Sequence, residues 1–155
     1  MTIDFELNTF SQEPVVGQLD LKLNLNVIPC QYLENTTTKQ AIQGDLVVLS
    51  AGGSKLPTVK NVEATDTFDA DKVYGVVPFV RKKNTYVDKD MISVAFQGTV
   101  VYLKAGATLS CGDVVGYDAA TKTIVAYDST ETTMVKLGNV LADCVANNIV
   151  RVLLK

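Results

Sequence analysis

One short pattern occurs twice in this chain and constrains its fold more than any other feature. Residues 44–49 (GDLVVL) return as residues 112–117 (GDVVGY). A Gly-Asp pair ahead of β-branched residues is typical of a turn that leads into a strand. Gly accepts a positive φ there, and the Asp carboxylate can accept a hydrogen bond from a nearby backbone N–H. The sequence therefore predicts a duplicated β-unit.

The segments that follow the two copies also correspond in order. Each copy is followed by a turn, a short run, a strand that contains Gly, and a closing apolar run. In the first copy these are residues 51–54, 56–59, 74–77 and 92–103, and in the second they are 118–122, 123–127, 137–141 and 149–154. Gly138 then corresponds to Gly75, which favours a strand over a helix at 137–146. We place the two copies at about 44–104 and 112–155.

Two runs near the N-terminus alternate apolar with polar residues, which is the period of a β-strand. In the first run, polar residues separate Ile3, Phe5 and Leu7. In the second run, every odd position from 19 to 27 is aliphatic. Residues 12–17, which include a proline, separate the two runs. We therefore expect residues 1–18 to form an N-terminal arm and residues 19–155 to form a single β-domain.

The composition agrees with one folded domain. Of the 155 residues, 47% are hydrophobic and 20% are charged, which excludes a disordered chain. About ten short strands with regular turn signals predict an all-β fold, a small sandwich or partly closed barrel built from a duplicated four-strand unit. Polar stretches at 35–43, 63–72 and 127–133 are predicted to be loops between strands.

Most kinds of catalytic site are disfavoured by the residues present. The chain has no histidine, which removes the Ser-His-Asp and Cys-His pairs and every His-ligated zinc site. Three cysteines without a paired short spacing indicate a reducing compartment, and Cys111 and Cys144 are expected to be buried, inert thiols. We predict no enzyme activity, no cofactor and no metal.

Three further patterns have simpler structural explanations. Asp66, Asp69 and Asp71 lack the ligand spacing of a calcium loop and predict a solvated loop. Residues 52–55 (GGSK) lack the spacing of a phosphate loop and predict a hairpin turn. Asp88 and Asp90 could act as paired carboxylates only within a concave site.

The charge balance and two exposed-looking segments point to protein partners. A net charge of -3 argues against binding to nucleic acid or to an acidic membrane. The arm can pair with the sheet edge of another subunit or within its own sheet, and its candidate contact residues are Ile3, Phe5, Leu7 and Phe10. The concentrated positive charge of Arg81, Lys82 and Lys83 is a candidate partner contact or, equally, a hairpin tip kept soluble.

Residues 44–155 resemble the small capsid decoration, or structural cement, proteins of tailed bacteriophages. The stretches 112–124 and 137–154 carry most of this likeness. The resemblance implies a virion protein, made in the cytoplasm of a bacterial host, that binds the outer surface of the assembled head. It implies trimers that bridge neighbouring subunits of the major capsid protein. The alternative is the base of a head fibre or another virion binding module; such a base would carry an appended adhesive domain, and since the chain shows none, we expect cement.

Overall fold

A computed structural model describes residues 15–19, 26–34, 39–50, 56–80, 83 and 85–155. Within these ranges the chain forms strands without any helix, so the predicted all-β class is confirmed. The described part accordingly contains no helix long and apolar enough to cross a membrane. The strands are β1 Val27–Tyr32, β2 Ala41–Ile42, β3 Leu46–Ser50, β4 Thr58–Asn61, β5 Tyr74–Val76, β6 Thr85–Tyr86, β7 Met91–Ala95, β8 Val100–Lys104, β9 Val114–Asp118, β10 Thr123–Ala126, β11 Val135–Val140 and β12 Ile149–Leu154.

The strands form two five-stranded sheets with the same order, which is the structural expression of the repeat. The first unit, β1 to β7, has the order β4-β3-β5-β7-β1 and closes into a barrel through parallel pairing of β1 with β4. The second unit, β8 to β12, has the order β10-β9-β11-β12-β8. A single parallel bridge between Ala105 and Ile124 stands where β1 meets β4 in the first unit. The small β2–β6 sheet lies beside the first unit.

The strand register confirms that Gly138 corresponds to Gly75. Gly75 lies opposite Val47, and Gly138 lies opposite Val115. The sequence-based choice of a strand at this position is therefore correct. A Cβ atom at Gly138 would collide with the carbonyl oxygen of Leu153 on the neighbouring strand, so a residue without a side chain is needed there.

Both Gly-Asp pairs form the predicted turn. Gly44 and Gly112 have φ values of +84° and +94°. The N–H of Ile42 donates to the Asp45 carboxylate at 3.0 Å. In the second copy, the N–H of Ser110 donates to the carboxylate of the equivalent aspartate at 2.8 Å. The local sequence thus dictates the same turn twice.

The apolar run 92–103 is two strands rather than one. β7 and β8 are separated by a turn in which Gly98 has a φ of +91°. β8 pairs with β12 along its length, so it belongs to the second unit. The main sheet of each unit therefore has five strands, one more than expected, and its first strand, β1 or β8, precedes the Gly-Asp pair. The polar residues Gln97 and Thr99 flank Gly98, so residues 97–99 interrupt the apolar run and mark the turn in the sequence.

Two apolar cores hold the units together. The interior of the first barrel contains Tyr32, Val47 and Val94 among other residues that water does not reach. The interior of the second unit also takes in residues on the outer face of the first, including Leu46 and Val76. Because the second core includes side chains from both units, the packing of one depends on the other.

Candidate partner-binding surface

The described start of the chain lies on the body at one end of the first unit. Gly17 donates its N–H to the carbonyl of Tyr102 at 2.7 Å and accepts a hydrogen bond from the N–H of Phe79 at 2.8 Å. A Cβ atom at Gly17 would lie 2.9 Å from the nitrogen of Gly44 and from the carbonyl oxygen of Val77. Residues 1–14 lie outside the described residues, so the arm remains a prediction, but the point from which it would leave is established.

The first unit carries an extra loop at this end. Residues 78–85 connect Val77 with Tyr86, whereas residues 141–143 alone connect the equivalent Val140 with Cys144. The insertion contains Phe79 and the basic segment 81–83. Because the five strands of the two sheets follow the same order without it, this loop is an addition that the strand order does not require.

A group of large apolar side chains is exposed around this end. They are Val15, Ile42, Phe79 and Val80, each between 38% and 40% exposed. We call these four residues the arm end. Isolated exposed apolar residues are common, but several on one loop-rich end are typical of an interaction surface.

The basic segment is only partly described. Arg81 and Lys82 lie outside the described residues. The Lys83 ammonium lies 2.9 Å from the Asp90 carboxylate and 5.2 Å from the centre of the Tyr86 ring. Lys83 therefore stabilises its own loop, while its side chain stays half exposed. Phe79, which precedes this segment in the same loop, is hydrogen-bonded to Gly17 at the root of the arm.

The contacts of Asp90 stabilise the same loop electrostatically. Its carboxylate accepts a hydrogen bond from the N–H of Val87 at 3.0 Å, in addition to the Lys83 contact. The backbone hydrogen bond, followed by the lysine, lowers the pKa of Asp90 below its ordinary value. The carboxylate is thus used to fold the loop that follows the insertion.

The other acidic residues singled out by the sequence also support turns and loops. Asp66 accepts a hydrogen bond from the N–H of Glu63 at 2.9 Å. Asp88 accepts one from the N–H of Glu34 at 2.9 Å. Across the part of the chain that the structure describes, no three His, Cys, Asp or Glu side chains are grouped so that they could hold a metal ion.

The loop and thiol predictions have mixed outcomes. Residues 63–72 are irregular, as predicted. Residues 52–55, where a hairpin turn was predicted, lie outside the described residues, and the flanking strands β3 and β4 pair antiparallel with Ser50 opposite Thr58. Cys111 is exposed, so its predicted burial is wrong. Its place in the tight turn before Gly112 keeps it at the surface. Cys144 pairs with Leu109 in an antiparallel bridge and is half-buried.

An ion pair crosses the junction between the two units. The Lys122 ammonium, on the β9–β10 hairpin, lies 2.9 Å from the Asp45 carboxylate. The Asp45 side chain is 5% exposed and that of Lys122 is 54% exposed. A cavity of about 400 Å³ adjoins the pair. Burial raises the pKa of Tyr117, which also lines this cavity, and the charge of Asp45 adds to the effect.

Comparison with known proteins identifies the fold rather than a family. No protein-family model matches this chain, and no curated protein matches it. One of the solved structures that match is the N base of the head fibre gp8.5 of bacteriophage phi29. The match has a TM-score of 0.50 and 13% sequence identity, and it covers 85% of this chain and 95% of that chain. The fold of this protein is therefore similar to that of nearly the whole fibre base.

Proposed function

We propose that this protein is a virion module that attaches to the outer surface of a tailed-phage head, as the base of a head fibre or a comparable binding module. The observation that carries the proposal is the fold match, which extends over 95% of a chain described as the base of a phage head fibre. The matched chain is the fibre base alone, and this chain covers 95% of it. The expectation that a fibre base would carry an appended adhesive domain therefore does not count against this role. The sequence likeness to head decoration proteins independently points to the same surface of the virion.

The arm end is the surface that we assign to head binding. It combines exposed apolar side chains with a loop that only the first unit carries. It is also where the described part of the chain begins, with Gly17 hydrogen-bonded to Phe79 of the same loop. Binding residues are often found on loops that a rigid scaffold holds in place.

A second candidate function is that of structural cement. In this role, trimers would bridge neighbouring subunits of the major capsid protein, and the arm would pair with capsid protein or with a neighbouring copy. The sequence likeness over residues 44–155 favours it. Trimers would help in either role, because several modest contacts made at once typically increase avidity by about 10² to 10⁴. Neither role assigns catalysis to the protein.

Head binding can be measured directly. Purified protein is mixed with bare, expanded heads of the phage whose genome encodes it, the heads are pelleted, and bound copies are counted. We expect saturable binding at a copy number that matches the symmetry of the capsid. Absence of saturable binding would overturn the proposed function.

Matched variants test whether the arm end makes the contact. Phe79→Ser with Val80→Ser is expected to weaken head binding about tenfold or more, which corresponds to about 1.4 kcal/mol. Val145→Ser is the control, because Val145 is 57% exposed and belongs to the second unit, which lacks the insertion. Equal binding by both variants would place the contact elsewhere.

The two candidate functions differ in what binding does to the head. Cement would raise the temperature at which filled heads release their DNA, whereas a fibre base would leave it unchanged. Release can be followed with a DNA-binding dye on coated and bare heads. Deleting residues 1–10 in the same assay tests the arm: undiminished occupancy would exclude it from attachment.

A further inference from the structure

A groove of about 670 Å³ lies where the first unit meets the outer face of the second. Its walls come from the end of the β4–β5 connection, including Lys72 and Val73, and from β9, β11 and the end of the chain, including Val114, Lys136 and Lys155. Val73 is 49% exposed and Val114 is 41% exposed. The groove therefore has an apolar floor that solvent reaches.

The repeat shows that the equivalent face of the first unit is covered. Val114 holds the position in β9 that Leu46 holds in β3, since each follows the aspartate of its Gly-Asp pair. Leu46 is 1% exposed because the second unit packs on it. Only one second unit exists per chain, so within the described residues nothing equivalent covers Val114. The same face of the repeated unit is therefore covered in the first unit and exposed in the second.

The rim of the groove is positively charged. Among the described residues, the side chains of Lys72, Lys136 and Lys155 make no ion pair, and Lys136 lies 5.7 Å from the centre of the Tyr127 ring. Asp71 is the acidic side chain in the lining. An occupant that matches this surface is apolar along one side and carries carboxylates.

The N-terminal arm of this chain has that chemistry. Residues 1–14 contain three acidic side chains, Asp4, Glu6 and Glu13, and no lysine or arginine. In an extended segment, Ile3, Phe5 and Leu7 would project to one side and the acidic residues between them to the other. We propose that the groove binds the N-terminal arm of a second copy of this chain. The apolar side chains cover Val73 and Val114, and the carboxylates lie within reach of the lysines on the rim.

The root of the arm and the groove lie at opposite ends of β3, an arrangement that suits a contact between two copies. The root of the arm is at the Gly44 end of β3, where the N–H of Gly44 donates to Val77, and the groove is at the other end, where the N–H of Leu49 donates to Val73. An arm that leaves one end of a copy and binds the other end of the next makes a head-to-tail contact. Such contacts form a closed ring when the rotation from one copy to the next divides a full turn evenly. A rotation of one third of a turn gives a trimer.

The oligomeric state of the free protein tests the proposal. We expect the wild type to be oligomeric in native mass spectrometry, and both deletion of residues 1–10 and Lys72→Glu with Lys136→Glu to yield monomers. Lys60→Glu with Lys104→Glu is the control, because it makes the same charge change at exposed lysines outside the groove. Asp4→Lys with Glu6→Lys should restore oligomers to the Lys72→Glu, Lys136→Glu protein. A monomeric wild type, or oligomers that survive the groove variant, would overturn the proposal.

Disulfide trapping identifies which chain supplies the arm. Leu7→Cys and Val114→Cys are made on separate chains in which Cys111 is Ser, and the two proteins are mixed and oxidised. A cross-linked dimer of the two chains is the expected product. If a chain that carries both cysteines forms only an internal disulfide, the arm binds its own body and the proposal is wrong. These tests use free protein, so they give the same result whether or not the protein binds phage heads.

Discussion

Replacing Asp45 with Ala is expected to lower the free energy of unfolding by about 2 to 3 kcal/mol, and the same change at Asp113 by about 1 kcal/mol. The two aspartates occupy the same turn and accept the same backbone hydrogen bond, from Ile42 at 3.0 Å and from Ser110 at 2.8 Å. Asp113 is therefore a matched control for the turn itself. The difference between the two variants measures what the junction between the units adds.

The magnitude follows from the surroundings of the two carboxylates. A hydrogen bond to an exposed charged group contributes about 1 kcal/mol, which is the whole expected effect at Asp113. At Asp45, loss of the carboxylate also leaves a shielded N–H without its acceptor, at a cost of about 1 kcal/mol or more. The contact with Lys122 adds about 0.5 to 1 kcal/mol, because half of the lysine side chain remains in water.

Urea unfolding of both variants provides the measurement, since the midpoint and slope give the change in free energy. Lys122→Ala and the Asp45→Ala, Lys122→Ala double variant complete a cycle that isolates the ion pair. We expect a coupling of about 1 kcal/mol for this half-exposed pair. Equal destabilisation by Asp45→Ala and Asp113→Ala would refute the reasoning, because it would mean that burial at the junction adds nothing.

Three other predictions test the root of the arm, the thiols and the loop after the insertion. Gly17→Ala should destabilise the protein by about 3 kcal/mol, since its φ is +81° and its Cβ would meet backbone atoms, whereas Gly98→Ala, with a φ of +91° but open space, should cost about 1 kcal/mol in thermal or urea unfolding. Iodoacetamide at pH 8 should modify exposed Cys111 in the native protein, while Cys30, whose pKa burial raises, should react only after unfolding; peptide mass mapping distinguishes the two. Because the folded state lowers the pKa of Asp90, its contribution to stability is present above about pH 4 and is lost as the pH falls further. The unfolding temperature of Asp90→Asn should therefore fall less between pH 5 and pH 3 than that of the wild type, and parallel curves would contradict the assignment.

Local patterns in the sequence predicted the elements that local physics controls. The Gly-Asp turns at 44–45 and 112–113 form because a positive φ and a short carboxylate suit that turn wherever it occurs. The strand at Gly138 follows from its correspondence with Gly75. The all-β class follows from the spacing of apolar residues. These features require no knowledge of what packs against them.

Features that depend on neighbours distant in the chain could not be predicted in the same way. The run 92–103 was expected to be one element, and although residues 97–99 (QGT) mark its turn, the pairing of β8 with β12 is what assigns the second half to the other unit. Cys111 was expected to be buried, but it is exposed in the turn before Gly112. The contact between Phe79 of the insertion and Gly17 is a backbone hydrogen bond between residues far apart in sequence.

The two aspartates show most clearly where the sequence stops and the tertiary structure decides. Asp45 and Asp113 stand in the same local sequence and form the same turn, as the pattern alone determined. Yet Asp45 is buried under Lys122, while Asp113 is exposed. Hydrogen bonds within a turn depend on a few adjacent residues, so a repeated sequence reproduces them. Burial depends on which surface packs over a residue. The second unit packs over the turn at Asp45 in the first unit, and in the described part of the chain no third unit packs over the equivalent turn at Asp113.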